Sequence, residues 1–331
     1  MNRTRVYDYA AIGFAALTML ASVGLVATGG WLISAAALMP PILTLQVAIV
    51  SVRAYGISRA VFRWLERVAS HEVALTGTTE HRVKLWDAAA ALGPRGVWRL
   101  RGSDVLDRLT ADTDLLQDRV TRVRTPFIAA LIASAVLVVT QTTFQPLAGL
   151  ALLAALLLAG VILPFATIRV EQSVAARAVL ARDRVSATIA DVVNRGAEFR
   201  VLGLAPLTTR KLAQQDAARI EVELQASQWA AFSASMNGVA TGLAVFSSLI
   251  VGAVAHSNRS LDGTMIAVLC LLPWSAGEVT GTFAQAVAAR TRVAAAEARI
   301  DDLLEAAAAK IASATAPRQQ ILASPSVLEV D

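Results

Sequence analysis

Four arginines and a histidine recur along one stretch, VRAYGISRAVFRWLERVASHE, at residues 52–72. At about 100° per residue on a helix, Arg53, Arg59, Arg63, Arg67 and His71 fall within an arc of about 120°. Ala54, Val61, Phe62, Leu65 and Ala69 occupy the opposite side. The stretch continues an apolar run that begins near Ile42, so the stripe starts at membrane depth. Charge there is costly unless it faces protein, water or an anionic partner. The chemistry available to such a row is recognition of anions, because a guanidinium pairs with a carboxylate through two parallel hydrogen bonds. Three uses stay open: phosphates of the inner leaflet for Arg63 and Arg67, ion pairs with carboxylates such as Glu66 or Glu278 or with a partner subunit, and an anionic ligand in a cavity.

Glu278 stands inside the last apolar run beside Pro273 and Trp274, with no charge near it in sequence. An isolated carboxylate at that depth faces a cavity or a partner. Cys270 is the only cysteine, which excludes an intramolecular disulfide and a zinc-thiolate cluster. It reads as a small core residue rather than a reactive thiol. His71, His81 and His256 are scattered and form no H-E-x-x-H or C-x-x-C-H pattern. On residues alone, His71 is an ordinary polar side chain.

These residues must be positioned by membrane helices. The 331 residues are 56% hydrophobic, with mean hydropathy +0.56, which places the chain among polytopic membrane proteins. Six apolar segments stand out, at 9–39, 42–62, 126–140, 146–167, 229–255 and 265–289. A span needs about 20 residues, so the third is short unless it borrows residues from Val120 onward. Gly29 and Gly30 either loosen the first helix or pack closely against a neighbour. Of the 30 Lys and Arg residues, only Arg259 falls outside the N-terminus, 53–124, 169–219 and 290–318. By the positive-inside rule both termini and both long excursions are cytoplasmic. That distribution accounts for the net charge of +5 without nucleic acid as a partner.

The excursions at 63–125 and 168–228 read as pairs of long helices joined by short connectors. In the first, helix formers run to Leu92, Gly93-Pro94 breaks the run, and Ser103 or Asp104 caps a new helix with Leu106, Leu109, Leu116 and Val120 as a broken apolar stripe. In the second, 171–194 is helical, 196–206 contains a break, and 207–228 is helical again. At 1.5 Å per residue, 42–92 alone reaches about 75 Å. Such stalks suit a machine that couples membrane helices to an engine outside the bilayer.

This all-α plan of six spans with long cytoplasmic extensions resembles the transmembrane domain of an ABC exporter of the type IV fold. More narrowly the sequence is similar to the CydC-type subunits of the CydDC heterodimeric exporters. The residues that carry this are GGWLISAAA (29–37), RAYGISRAVFRWLERVASHE (53–72) and GSDVLDRLTADTDLLQDRVTRVRTP (102–126), with GAEFRVLG (196–203) and the last span with Cys270 and Glu278 as weaker matches. The resemblance implies a multi-pass protein of the inner membrane, a CydD-type partner, surrounding lipids, and export of cysteine, glutathione or haem in support of cytochrome bd assembly. It makes 94–101 (Pro94, Arg95, Val97, Trp98, Arg99, Arg101) and 199–207 (Phe199, Leu202, Gly203, Leu204) the coupling segments that dock on nucleotide-binding domains. It also makes His71 the candidate axial ligand of a haem b, with Arg53, Arg59, Arg63, Arg67 and Glu278 lining a haem or substrate site.

The chain carries no G-x-x-x-x-G-K-[ST] loop and no LSGGQ-like signature. ATP is therefore expected on nucleotide-binding domains that are not in this chain. With 1–310 as the transmembrane domain and 311–325 as a linker, SVLEVD at 326–331 reads as the opening strand of a missing domain, so the chain is expected to be a fragment. Two other functions fit the same outline: an exporter half for lipids or drugs, and a non-transporting, haem-binding assembly subunit.

Overall fold

The structure, a computed structural model, describes residues 2–99 and 108–315. The expected cap at Ser103 or Asp104, Leu106, Arg101, the second half of the linker and the strand at 326–331 lie outside the described residues. Helix α1 runs Asn2–Ala36 and α2 runs Ile42–Arg99. A short α3, Thr113–Asp118, lies between two π-helical turns, Arg108–Asp112 and Arg119–Arg124. Helices α4 (Thr125–Phe144) and α5 (Pro146–Leu157) follow, then a π-helical turn, Leu158–Ile162. The long α6 (Leu163–Val201), α7 (Ala205–Ser257) and α8 (Gly263–Thr315) complete the order. Among the described residues there is no strand, and 6 helices are long and apolar enough to cross a membrane.

Prolines punctuate this order. Pro126, Pro146, Pro164 and Pro206 sit in the first turns of α4, α5, α6 and α7, where the missing N–H costs nothing. Pro273, inside α8, is the exception. It has no N–H for the carbonyl of Leu269, four residues back. Gln141 of α4, fully buried, donates its Nε2 to that carbonyl at 3.0 Å and to Ser248 Oγ of α7 at 3.0 Å. One side chain thus satisfies the acceptor that the proline frees and joins three helices.

The membrane core is assembled from α1, α4, α5 and α8, with Val23, Leu137, Leu152, Leu272 and Phe283 among its buried residues. Small residues let the backbones close up, as expected where lipid supplies no hydrophobic contrast. A side-chain carbon on Gly30 would lie 2.3 Å from Leu271, and α1 passes through Gly29 and Gly30 without interruption. Close packing, not loosening, is what Gly30 serves. The third span does borrow residues: its helix continues from Thr110 to Phe144 through the π-helical turn.

The second extension has its expected break within 196–206. Helix α6 continues to Val201, with a kink at Arg195, so 196–201 is helical. The chain reverses in three residues, 202–204, and 205–207 already belong to α7. Gly203, at φ 68, closes the turn with Leu204 N–H on Phe199 O at 2.8 Å and Gly203 N–H on Arg200 O at 3.2 Å. That pair of bonds is a Schellman cap, whose left-handed residue favours glycine. The expected break at 93–94 is present as a kink inside α2 at Gly93.

Candidate functional site

Four helices each contribute a pair of polar residues three or four positions apart to one open cavity of about 200 Å³. The pairs are Thr18 and Ser22 from α1, Arg63 and Glu66 from α2, Thr121 and Thr125 at the start of the third span, and Glu278 and Thr282 from α8. Residues at that spacing share a helix face, so each pair points the same way out of an otherwise apolar helix. Ala15, Met19 and Pro126 supply the apolar wall. Thr125 Oγ1 is buried and has no hydrogen-bond partner among the described residues, which leaves it free for a ligand. The stack of Phe14 on Phe62, with centroids 6.4 Å apart, holds α2 against α1 near the cavity.

Of the residues expected at the site, the structure brings Arg63 and Glu278 together and adds Glu66. Arg53, Arg59, Arg67 and His71 do not line this cavity. Arg53, Arg63, Arg67 and His71 are exposed, and Arg59 is half-buried. Of the stripe, only the Arg63 guanidinium lines the cavity. Cys270 is a half-buried free thiol away from the cavity. The sequence reading missed Thr18, Ser22, Thr121, Thr125 and Thr282. The signal for them was the recurring four-residue spacing of hydroxyls within apolar helices.

A haem would need an enclosing pocket as well as an axial imidazole. His71 is exposed, and among the described residues no group of three or more His, Cys, Asp and Glu gathers around a point.

Beyond the cavity, the α2, α3 and α8 extensions are tied into one stalk. Leu85, Ala88, Leu92, Ile300, Leu303 and Ala307 form a second core. Asp112, buried, accepts two hydrogen bonds from Arg299, at 2.9 Å from Nε and 2.5 Å from Nη2. The bond to Asp112 holds the Arg299 guanidinium above its ordinary range. Lys310 Nζ donates to the carbonyl of Leu92, one residue before the Gly93 kink. The region expected to couple to an ATPase is thereby linked directly to the end of α8. Side chains at 94–99 are not described. Phe199, Leu202, Gly203 and Leu204 cluster at the tip of the α6–α7 hairpin.

Six helices able to cross a membrane, with long helical extensions and a cavity among the spans, are consistent with the transmembrane domain of an ABC exporter. Its relatives are CydC and CydD proteins. Against the glutathione/L-cysteine transport system ATP-binding/permease protein CydC of Escherichia coli (strain K12) it is 24% identical over 298 residues, 89% of this chain and 52% of that protein. Against the CydD protein of the same description from Bacillus subtilis (strain 168) it is 38% identical over 133 residues, 39% of this chain and 23% of the other. The CydC of Haemophilus influenzae is 30% identical over 112 residues, 33% of this chain and 19% of that one. The chain spans about half the length of the first of these and less of the others. No family model matches it.

Proposed function

We propose that this chain is the membrane-crossing half of an ATP-driven exporter that moves a small amino-acid thiol, of the glutathione or L-cysteine class, out of the cytoplasm. The observation that carries this reading is that Arg63, Glu66 and Glu278 line one cavity. An amino-acid head group bears one carboxylate and one ammonium. A guanidinium suits the first through paired hydrogen bonds, and a carboxylate suits the second. The threonine hydroxyls, Thr125 above all, serve the remaining polar atoms. The names of the relatives favour the same substrate class. A broad apolar cavity for lipids or drugs would not be lined by four polar pairs.

The partner is a CydD-type subunit, and ATP is bound and hydrolysed on nucleotide-binding domains outside residues 1–331. Both termini and both extensions lie on the cytoplasmic side, where the basic residues are. Closure of the nucleotide-binding domains pulls on the extensions, and the packed α2–α3–α8 stalk transmits the tilt to the spans. In the assembled heterodimer, inverted vesicles are expected to accumulate cysteine or glutathione when ATP is supplied. Arg63→Gln and Glu278→Gln are each expected to lower uptake about tenfold, the loss of one charged hydrogen bond, while basal ATP hydrolysis persists. Unchanged uptake in both variants would refute the substrate site.

A second reading is favoured by the open position of His71 at the end of the arginine row. Haem b there belongs to a two-chain site, in which the partner encloses the imidazole, and it connects the complex to cytochrome bd assembly. A heterodimer with no Soret band, or with a band that His71→Ala leaves unchanged, removes it.

A further inference from the structure

A second opening, with a volume of about 340 Å³, lies between the third span and α8 and shares no lining residue with the cavity just described. It is lined by Arg119, Val123, Arg124, Phe127, Ile128 and Arg290. Its guanidiniums sit at the edge of the apolar zone. Arg124 comes immediately before the apolar run of α4, and Arg290 immediately after the run that ends at Ala289. Phe127 and Ile128 lie three and four residues further in, about 5 Å deeper along the helix. The groove therefore has cations at the membrane boundary and an apolar floor within the bilayer.

The backbone is shaped to make this groove. In an α-helix, residues five apart point about 140° away from each other. The turn Arg119–Arg124 is π-helical, with hydrogen bonds spanning five residues, and brings Arg119 and Arg124 onto one face. Both line the same opening. Such turns are uncommon and concentrate where a side chain must be re-aimed for function.

The charges do not cancel. Arg119 and Arg290 share Glu297, at 3.3 Å and 2.6 Å, and Arg124 pairs with Asp8 at 2.7 Å. Three cations thus face two carboxylates, leaving a net charge of one. Each guanidinium has five N–H donors, more than one carboxylate can take up. The arginine side chains are 49% to 64% exposed, so donors remain for a further acceptor.

We propose that this groove binds an anionic phospholipid from the leaflet on the extension side, with its phosphate on Arg119, Arg124 and Arg290 and an acyl chain along Phe127 and Ile128. Basic pockets between membrane helices take up such head groups, and arginine forks match phosphate geometry. The occupant has to supply both a phosphate and a hydrocarbon chain. This assignment is independent of the transported substrate, since no residue is shared with the cavity that holds Arg63 and Glu278.

The test is native mass spectrometry of the assembled, delipidated complex titrated with phosphatidylglycerol, with phosphatidylcholine, and with inorganic phosphate as competitor. The wild-type complex is expected to retain phosphatidylglycerol about tenfold better than phosphatidylcholine. The double variant Arg119→Gln/Arg290→Gln is expected to lose that preference. Glu297→Gln, which releases two guanidiniums from their carboxylate, is expected to raise phosphatidylglycerol retention several-fold, a gain that misfolding cannot imitate. Equal retention of the two lipids by the wild type would overturn the proposal, as would unchanged retention in both variants. Displacement of the lipid by millimolar inorganic phosphate would overturn the lipid assignment and leave a site for free phosphate.

Discussion

The α2–α3–α8 stalk and the α6–α7 hairpin are both paired helical extensions of similar length, yet they are built on opposite principles. The stalk has its own core around Leu85 and Leu303, a buried carboxylate clamped by Arg299 and a lysine on the Leu92 carbonyl. The hairpin has almost nothing inside. Between positions 173 and 239, only Val174 and Thr188 are buried among the described residues. Its two helices touch through contacts such as Thr188 on Gln215 at 2.7 Å. Val179, Leu180, Ile189, Val193, Ile220 and Leu224 stay 46% to 75% exposed. A helix that buries no apolar stripe gains little from its own chain. The stalk is thus packed within this chain, whereas the hairpin leaves an apolar face that this chain does not cover.

That contrast is broken most severely in the stalk. Leu303 is fully buried, and Leu303→Ala is expected to destabilise the isolated chain by about 2–5 kcal/mol, the cost of a cavity in a packed core. Denaturation in detergent monitored by circular dichroism measures it. A loss below about 0.5 kcal/mol, as at an ordinary surface site, would show that the stalk is no better packed than the hairpin.

A smaller effect tests the clasp that joins the third span to α7 and α8. Gln141→Leu removes the donor on the Leu269 carbonyl and is expected to cost about 1–3 kcal/mol, the penalty for a buried acceptor left unpaired. Pro273→Ala gives that carbonyl back its own helical partner. In the Pro273→Ala background the Gln141 substitution is therefore expected to cost less, and a double-mutant cycle on thermal unfolding reads the difference. Strict additivity would mean that Gln141 does not act through the carbonyl that the proline frees.

What the sequence made legible follows the same division. Apolar runs marked every span, because hydropathy and length are local properties of the sequence. The reversal after α6 was visible as a break within 196–206, but its sharpness was not, since a Schellman turn needs only three residues and leaves the flanking helices intact. Arg63 and Glu278 were recognisable as charges out of place in apolar helices. That Arg63 rather than its neighbours in the row would meet Glu278 was not readable, because it depends on how α2 and α8 rotate against α1. The groove at Arg119 and Arg124 was hidden for another reason. Read with α-helical periodicity, the two residues fall on different faces, and only the π-helical turn aligns them.

The smallest effect on stability is expected in the hairpin, and it is the most informative about assembly. Val193 is 75% exposed and Leu224 is 57% exposed, so Val193→Ala and Leu224→Ala should change the unfolding free energy of the isolated chain by less than about 0.5 kcal/mol. If a second subunit covers these side chains, the same substitutions remove apolar area from its interface, and truncation of an interface anchor costs upward of about 2 kcal/mol of binding. Co-purification with a CydD-type partner is then expected to weaken at least about thirtyfold, although each chain alone remains as stable as before. The separation of the two readouts is the point. Substitutions that destabilise the chain alone would place these residues in a hidden core, and substitutions that change neither stability nor assembly would leave the hairpin a solvated arm with no partner surface on this face.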